Sequence, residues 1–264
     1  MDHTKKFAQE FEESIDRLLP NNSVDCVIFG YEKQRLKVLL LQWKTNAEWS
    51  LPGGFIFKDE ALNSAAHRVL RERTGLDEIF LNQFYTFGRQ NRARPDQNAT
   101  EEATDKRLLD FGITSPVIAE WMKKRFVTTG YFALVNIAKT NPQPDFMSSS
   151  CEWKTIAEIP QLILDHNEIV EKAIGYLRIQ LNYLPIGLSL LPEKFTMQDL
   201  QKLYEAILGR PLERSNFQRK ILKLGMLVRK EKFMSGAANK APYLYAFDQA
   251  KYAQLIKEGI GFSY

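Results

Sequence analysis

Residues 54–76 of the 264-residue chain, GFIFKDEALNSAAHRVLRERTGL, do most to limit the folds open to it. A short β-prone run enters a polar turn, residues 61–74 follow with helical patterning, and Gly75 is the residue type that closes a helix in the left-handed conformation. Leu51, Pro52, Gly53, Gly54 and Phe55 form the approach, and two more β-prone segments, 23–30 and 35–43, read as a hairpin around a turn at 31–34. Further strand-like sequence lies at 79–88 and 126–138. Strands on either side of one amphipathic helix suit a mixed sheet covered by helices, an α+β arrangement.

The spacing within this segment carries a chemical message. Gly54, Glu60, Arg68, Leu70, Glu72, Gly75 and Leu76 stand in the register of a Nudix box, and the segment resembles that motif. The resemblance implies an α/β/α sandwich. It also implies that positions 69, 72 and 73 are those where Nudix hydrolases place three helix carboxylates to hold Mg²⁺ against a diphosphate. Offsets of three and four residues do put these side chains on one helical face. Here they are Val69, Glu72 and Arg73. Magnesium wants near-octahedral oxygen coordination, valine offers no lone pair, and a guanidinium repels the ion. Metal-assisted hydrolysis without its ion loses its main electrostatic stabilisation. The expectation is therefore a vestigial box (Glu60, Arg68, Val69, Glu72, Arg73) with no catalytic residue, no metal and no cofactor, kept as a fold element and ligand pocket. An active pyrophosphohydrolase stays open as the alternative, with a carboxylate brought in from Asp59, Glu60, Glu101 or Glu102.

Length allows two domains with cores of their own. No run of eighteen apolar residues occurs, and the N-terminal sequence MDHTKKFAQEFEESIDRLL is charged and helix-patterned rather than a signal peptide, so a cytoplasmic protein without membrane contact is expected. Cys26 and Cys151 read as free thiols in strand-like sequence, and with His3, His67 and His166 they form no metal-binding spacing. The net charge of +4 is uneven: residues 196–264 hold twelve Lys or Arg against six Asp or Glu, while residues 1–195 hold twenty-four against twenty-six. A basic C-terminal part suggests an acidic polymer as partner of that part alone.

Along the first part, residues 7–19 read as an amphipathic helix ended by a turn at Pro20, Asn21 and Asn22. A polar insertion at 90–124 contains a capped helix after Ser115-Pro116, and it either shapes the pocket mouth through Trp121 or is decoration. Residues 151–156 suggest a strand and 158–164 a short helix, and Asp165 suggests the N-cap of a helix over 166–183. His166 there is a capping or packing residue rather than a ligand. These limits give a first domain at 1–183, a Pro/Gly-containing linker at 184–194 and a second domain at 195–264.

In the second domain, Thr196 and Asp199 resemble a capping box for a helix over 197–208. Gly209, Arg210 and Pro211 break it, and Ser215 is placed to cap a second helix over 216–224. Two helices joined by a short turn, the second basic, make a helix-turn-helix; strands at 226–233 and 242–247 around a basic tip make its wing. The residues expected at a DNA backbone or base edge are Arg214, Asn216, Gln218, Arg219, Lys220, Lys223, Arg229, Lys230, Lys232 and Lys240.

The order of these parts, with LPGGF, QFYTFGRQNR, TTGYFALV, ILDHNEIVEKA and FTMQDLQKLYEAILGRPLERSNFQRKI, is similar to the Nudix-related transcriptional regulators, which include repressors of NAD metabolism and of arabinose use. That resemblance implies a domain sensing a small molecule, a winged helix on a double-stranded operator, and a homodimer. The effector would be an ADP-ribose-like nucleotide, in a diphosphate cradle of Gly53, Gly54, Arg68, Arg73 and Arg92, or a sugar. An ion pair of Arg73 with Glu72 or Glu60 is the alternative role for that arginine. The insertion and Asn91 depart from the family pattern, and both fall near the expected pocket.

Overall fold

Strand β1 (Leu18–Glu32) is buried without a break over residues 24–30. Successive side chains of a strand face opposite ways, so both faces of its sheet are covered. The computed structural model describes residues 3–45, 47–77, 79–90, 92, 101–181, 187–234 and 241–258. By internal packing the chain forms two units, one of residues 1–28, 38–133 and 140–173, the other of residues 29–37, 134–139 and 174–264.

Among the described residues the large sheet has seven strands. Its path runs β3 (Trp49–Ser50), β2 (Arg35–Trp43), β1, β6 (Val127–Val135) and β5 (Phe80–Phe87), while β4 (Gly53–Phe57) pairs with β1 and β7 (Ser148–Thr155) with β2. The β1–β2 turn is tighter than the four residues expected. Lys33 and Gln34 alone make it, both at positive φ, as a two-residue hairpin turn requires. The N-terminal helix has the expected thirteen residues but lies four positions earlier in the chain. Helix α1 (His3–Ile15) stops before Leu18, and Pro20, Asn21 and Asn22 belong to β1 instead of forming a turn. A bulge accommodates them: pairing with β4 shifts register between Leu18 and Ser23, and Asn21, a residue tolerant of left-handed backbone, sits at φ 62°.

Helix α2 (Leu62–Thr74) ends at Gly75 with φ 73°, as its sequence demands. The insertion is built rather than irregular. Helices α3 (Glu101–Asp110) and α4 (Pro116–Lys123) pack Leu108, Phe111, Ile113 and Ile118 into a small core that also takes Phe7 and Phe11 of α1. Ser115 caps α4 by accepting from Ile118 N at 3.3 Å. Trp121 sits edge-on to Phe55 at 4.4 Å, tying the insertion to β4. The helix expected at 158–164 does not form; a 3-10 turn at Ile156–Glu158 is followed by extended chain through Pro160. Residues before a proline avoid helical backbone, and Asn167 fixes the segment by donating to Pro160 O and accepting from Leu162 N. Helix α5 (His166–Gln180) follows, and residues 182–186, which hold the expected helix end and the start of the linker, lie outside the described residues.

Gly130 on β6 shows how tightly this sheet packs. A Cβ there would lie 2.8 Å from Phe84 Cζ and 2.9 Å from Phe87 Cε2. Gly130→Ala should therefore cost about 1–3 kcal/mol by overpacking, visible as a lowered urea midpoint. An unchanged midpoint would mean that the rings move aside freely.

In the second unit a short helix, α6 (Gly187–Leu190), precedes β8 (Phe195–Thr196) and α7 (Met197–Leu208). Thr196 and Asp199 form the expected capping box, and Gly209 closes α7 at φ 70°. Helix α8 (Arg214–Lys223) starts two residues earlier than expected. Glu213, not Ser215, caps it, because its carboxylate reaches both Ser215 N and Asn216 N, at 2.8 and 2.6 Å. A charged cap beside free N–H groups also opposes the helix dipole favourably. Strands β9 (Leu227–Lys232) and β10 (Tyr243–Phe247) pair antiparallel, β8 joins the other edge of β10, and a last helix, α9 (Gln249–Glu258), follows.

Candidate functional site

Gly54 begins the box, and its neighbours show what became of it. A Cβ on Gly54 would meet Val69 Cγ2 at 2.8 Å, so Val69 is packed under the glycine and only 1% exposed. Glu60 is spent on Arg68, whose Nε and Nη2 donate to its two oxygens at 2.9 and 2.8 Å while Nη2 also reaches Phe55 O at 2.8 Å. The hydrogen bonds from Arg68 hold the Glu60 carboxyl below the usual carboxylate range, with burial opposing. Glu72 is half-exposed and has guanidinium nitrogens of Arg68 and Arg73 at 3.7 and 3.4 Å. One carboxylate flanked by two cations does not fit a magnesium site. Among the described residues, no group of three His, Cys, Asp or Glu side chains is placed to hold a metal ion. The side chains of Glu101 and Glu102 lie outside the described residues, and Asp59 is exposed in the turn.

A cleft of ≈ 250 Å³ opens beside the first residues of β4. Gly53, Gly54 and Arg92 line it, but Arg68 and Arg73 do not, so the five-residue cradle expected from the sequence is not assembled in one place. Arg73 instead points at Gln143 O and Glu72 with contacts of 3.5 and 3.4 Å. What the cleft does contain is a buried charge cluster. Arg92 Nε and Nη2 grip the two oxygens of Asp165 at 2.8 and 2.7 Å, and Nη2 reaches Asp25 Oδ2 at 3.2 Å. The three side chains are 9%, 8% and 10% exposed. Burial works against the charge on Arg92, but the bonds and charges of Asp165 and Asp25 outweigh it and raise its pKa. His166 completes the group, its Nδ1 accepting from Leu51 N at 3.0 Å and its Nε2 lying 3.7 Å from Asp25 Oδ1. It is thus a packing residue of the cleft wall.

Most of the remaining lining is apolar, with aliphatic, methionine and aromatic side chains. Phe55 and Phe126 come from the cluster that Trp121 centres, and Met122 of α4 lines the cleft as well. The insertion therefore shapes the cleft rather than decorating it. Asp25, Asp165 and His166 were absent from the residues expected at the ligand. Asp25 alone gave a signal, as a carboxylate inside the apolar run SVDCVIFG.

The candidate nucleic-acid face lies on the second unit. Arg214, Asn216, Arg219, Lys220 and Lys223 are exposed on α8 and Gln218 is half-buried. Arg219 Nη2 donates to Asn216 Oδ1 at 3.0 Å, so two base-reading candidates hold each other in place. On the wing, Arg229 Cζ lies over the Tyr243 ring, 3.3 Å from its centroid, and Lys232 Nζ lies 5.6 Å from the same centroid, while Lys230 is exposed. Lys240 lies outside the described residues.

The turn between α7 and α8 is held by Glu205, which the sequence did not single out. Its Oε1 accepts from Leu212 N and Gln201 Nε2, both at 3.0 Å, and Oε2 from Lys202 Nζ at 2.7 Å. The Lys202 bond first, then those of Leu212 and Gln201, pull its pKa down to about 2. A depressed carboxylate contributes its stabilisation in full above its unfolded value of 4.5 and loses it as pH falls toward 2. Glu205→Gln should thus lower the melting temperature at neutral pH and converge on the parent protein between pH 4.5 and 2. A constant gap across that range would contradict this.

Residues 19–173 match the NUDIX domain family, and residues 187–247 match the NrtR DNA-binding winged helix domain. The chain is 32% identical over 249 residues, 91% of its length and 87% of the relative's, to the ADPR responsive transcriptional repressor NtrR of Acinetobacter baylyi. It is also similar to the crystal structure of Shewanella oneidensis NrtR, at 26% identity and a TM-score of 0.66, covering 88% of this chain and 96% of that one. The same protein complexed with a 27mer DNA matches at 26% identity and a TM-score of 0.64, over 88% and 95%. A vestigial box, a helix-covered sheet and a winged helix in this order therefore have one joint explanation: the chain belongs to the Nudix family, in the branch that carries an NrtR DNA-binding winged helix.

Proposed function

We propose that this protein is a DNA-binding transcriptional regulator whose Nudix domain senses an ADP-ribose-like nucleotide without hydrolysing it. The observation that carries the reading is the box helix itself. Val69, Glu72 and Arg73 stand where three metal-binding carboxylates would be needed, in a fold that keeps a cleft lined by Gly54, the first residue of the same box. The name of the Acinetobacter relative favours ADP-ribose over a free sugar as effector. The sensing domain spans 1–183, the linker 184–194 and the DNA-binding domain 195–264. Arg214, Asn216, Gln218, Arg219, Lys220, Lys223, Arg229, Lys230, Lys232 and Lys240 face a double-stranded operator, and the protein works in the cytoplasm as a homodimer. A dimer sets two recognition helices about one turn of DNA apart, and an effector shifts DNA affinity only through its different affinity for two settings of that pair.

The competing reading is a pyrophosphohydrolase with an accessory C-terminal domain. The test is an equilibrium titration of the full chain against a duplex enriched by the protein from a random library, with and without ADP-ribose. A change in Kd of at least roughly fivefold is expected. An identical Kd, together with AMP release in the presence of Mg²⁺, favours the hydrolase.

A further inference from the structure

We infer that the cleft takes its effector by an uncharged, hydroxyl-bearing sugar ring seated against Asp25, and not by a phosphate; this rests on the sensing function proposed above. Arg92 is the sole cationic side chain among the described residues lining the cleft, and its guanidinium is already shared by Asp165 and Asp25. Two carboxylates against one guanidinium leave the buried cluster net negative, and Asp145 on the same lining adds to it. A phosphate entering here meets excess negative charge at reduced dielectric. Turning Arg92 toward it would strand a buried Asp165, a costly exchange.

Carboxylates accept hydrogen bonds and hydroxyls donate them. Asp25 Oδ1 stands 3.7 Å from His166 Nε2, longer than a hydrogen bond, and so is open to a ligand's donor. Gly53 keeps it reachable, since a Cβ there would lie 2.5 Å from that same oxygen. Phe55 and Phe126 offer apolar faces on the same lining for the C–H side of a sugar ring. The ≈ 250 Å³ of the cleft fall below the roughly 300–1,000 Å³ of sites that enclose a whole drug-sized ligand. It therefore encloses one end of ADP-ribose. The terminal ribose, with three free hydroxyls and no charge, suits a cluster of acceptors better than the adenosine end does.

Calorimetric titration of the full chain with ADP-ribose and with ADP tests this. ADP keeps the adenosine and the diphosphate and ends in a phosphate where ADP-ribose carries its second ribose. ADP-ribose should bind on the order of a hundredfold more tightly, since a site built to receive hydroxyls rejects an analogue lacking them. Asp25→Asn should narrow that ratio by at least about tenfold, through loss of a charged acceptor and of repulsion toward ADP. Near-equal binding of the two nucleotides by the parent protein overturns the sugar seat, as does a ratio unchanged by a folded Asp25→Asn variant. If the variant does not fold, the parent ratio decides. Equal binding alongside a DNA response to ADP-ribose sinks the sugar seat alone; binding of neither nucleotide sinks the sensing function and the sugar seat together.

Discussion

Replacing Arg92 with alanine should destabilise the Nudix domain by about 3–5 kcal/mol, the usual consequence of removing one partner from a buried charge pair. Asp25 and Asp165 would remain behind, each about a tenth exposed and stripped of the guanidinium that both contact. The loss comes from stranded charge more than from missing contacts. An Arg92→Ala variant that also carries Asp25→Asn and Asp165→Asn should therefore recover much of the stability, because the buried groups left over are neutral. Urea denaturation of the three proteins, with the parent as reference, gives the comparison. A loss below about 1 kcal/mol for Arg92→Ala, or a triple variant weaker than the single one, would show that the cluster is hydrated and not a buried ion network.

Removing three wing cations together, Arg229→Ala, Lys230→Ala and Lys232→Ala, should have the largest effect on DNA binding. Each phosphate contact contributes close to one unit to the slope of log affinity against log salt, so the slope should flatten by about three. Between ~50 and ~200 mM salt the advantage of the parent protein over the variant then shrinks about fiftyfold. Arg219→Ala should behave differently. It leaves the slope nearly intact and relaxes base preference by about 1–3 kcal/mol at one position, because Arg219 sits with Asn216 on the exposed face of α8 proposed to read bases. Fluorescence anisotropy across a salt series separates the two. A triple variant whose slope matches the parent would remove the wing from the interface. Tyr243, which carries Arg229 on its ring, is then the next residue to examine, since losing the ring frees the guanidinium without removing its charge.

Local rules were readable wherever one residue type does one job. Gly75 and Gly209 close their helices in the left-handed conformation, Ser115 and Thr196 cap theirs, and helix α7 spans Met197–Leu208 as its periodicity requires. The box positions were equally legible, because helical offsets are geometry: Val69 turns inward, and Glu72 is left with arginines for neighbours. Pairings across the fold were not. Asp25 and Arg92 are 67 residues apart and Arg92 and Asp165 are 73, so no local pattern announces that one guanidinium bridges two carboxylates. The fate of Arg68 was hidden for another reason, since its partner is close in sequence but belongs to the turn before the helix. An arginine in a diphosphate motif reads as an anion-binding group, but Glu60 eight residues earlier accepts from both its Nε and its Nη2. Glu213 displaced Ser215 as the cap of α8 for a simpler reason. Both residue types accept from helix N–H groups, and the longer carboxylate reaches two of them at once.

The Nudix domain is proposed to hold a nucleotide without consuming it, and one recording tests the holding and the sparing together. Labelled duplex bound to the full chain in excess Mg²⁺ is followed by anisotropy for several hours after a single addition of ADP-ribose just sufficient to saturate. A prompt shift that then stays level is predicted, because the ligand persists. A shift that decays as the nucleotide is cleaved, or no shift at all, would contradict it.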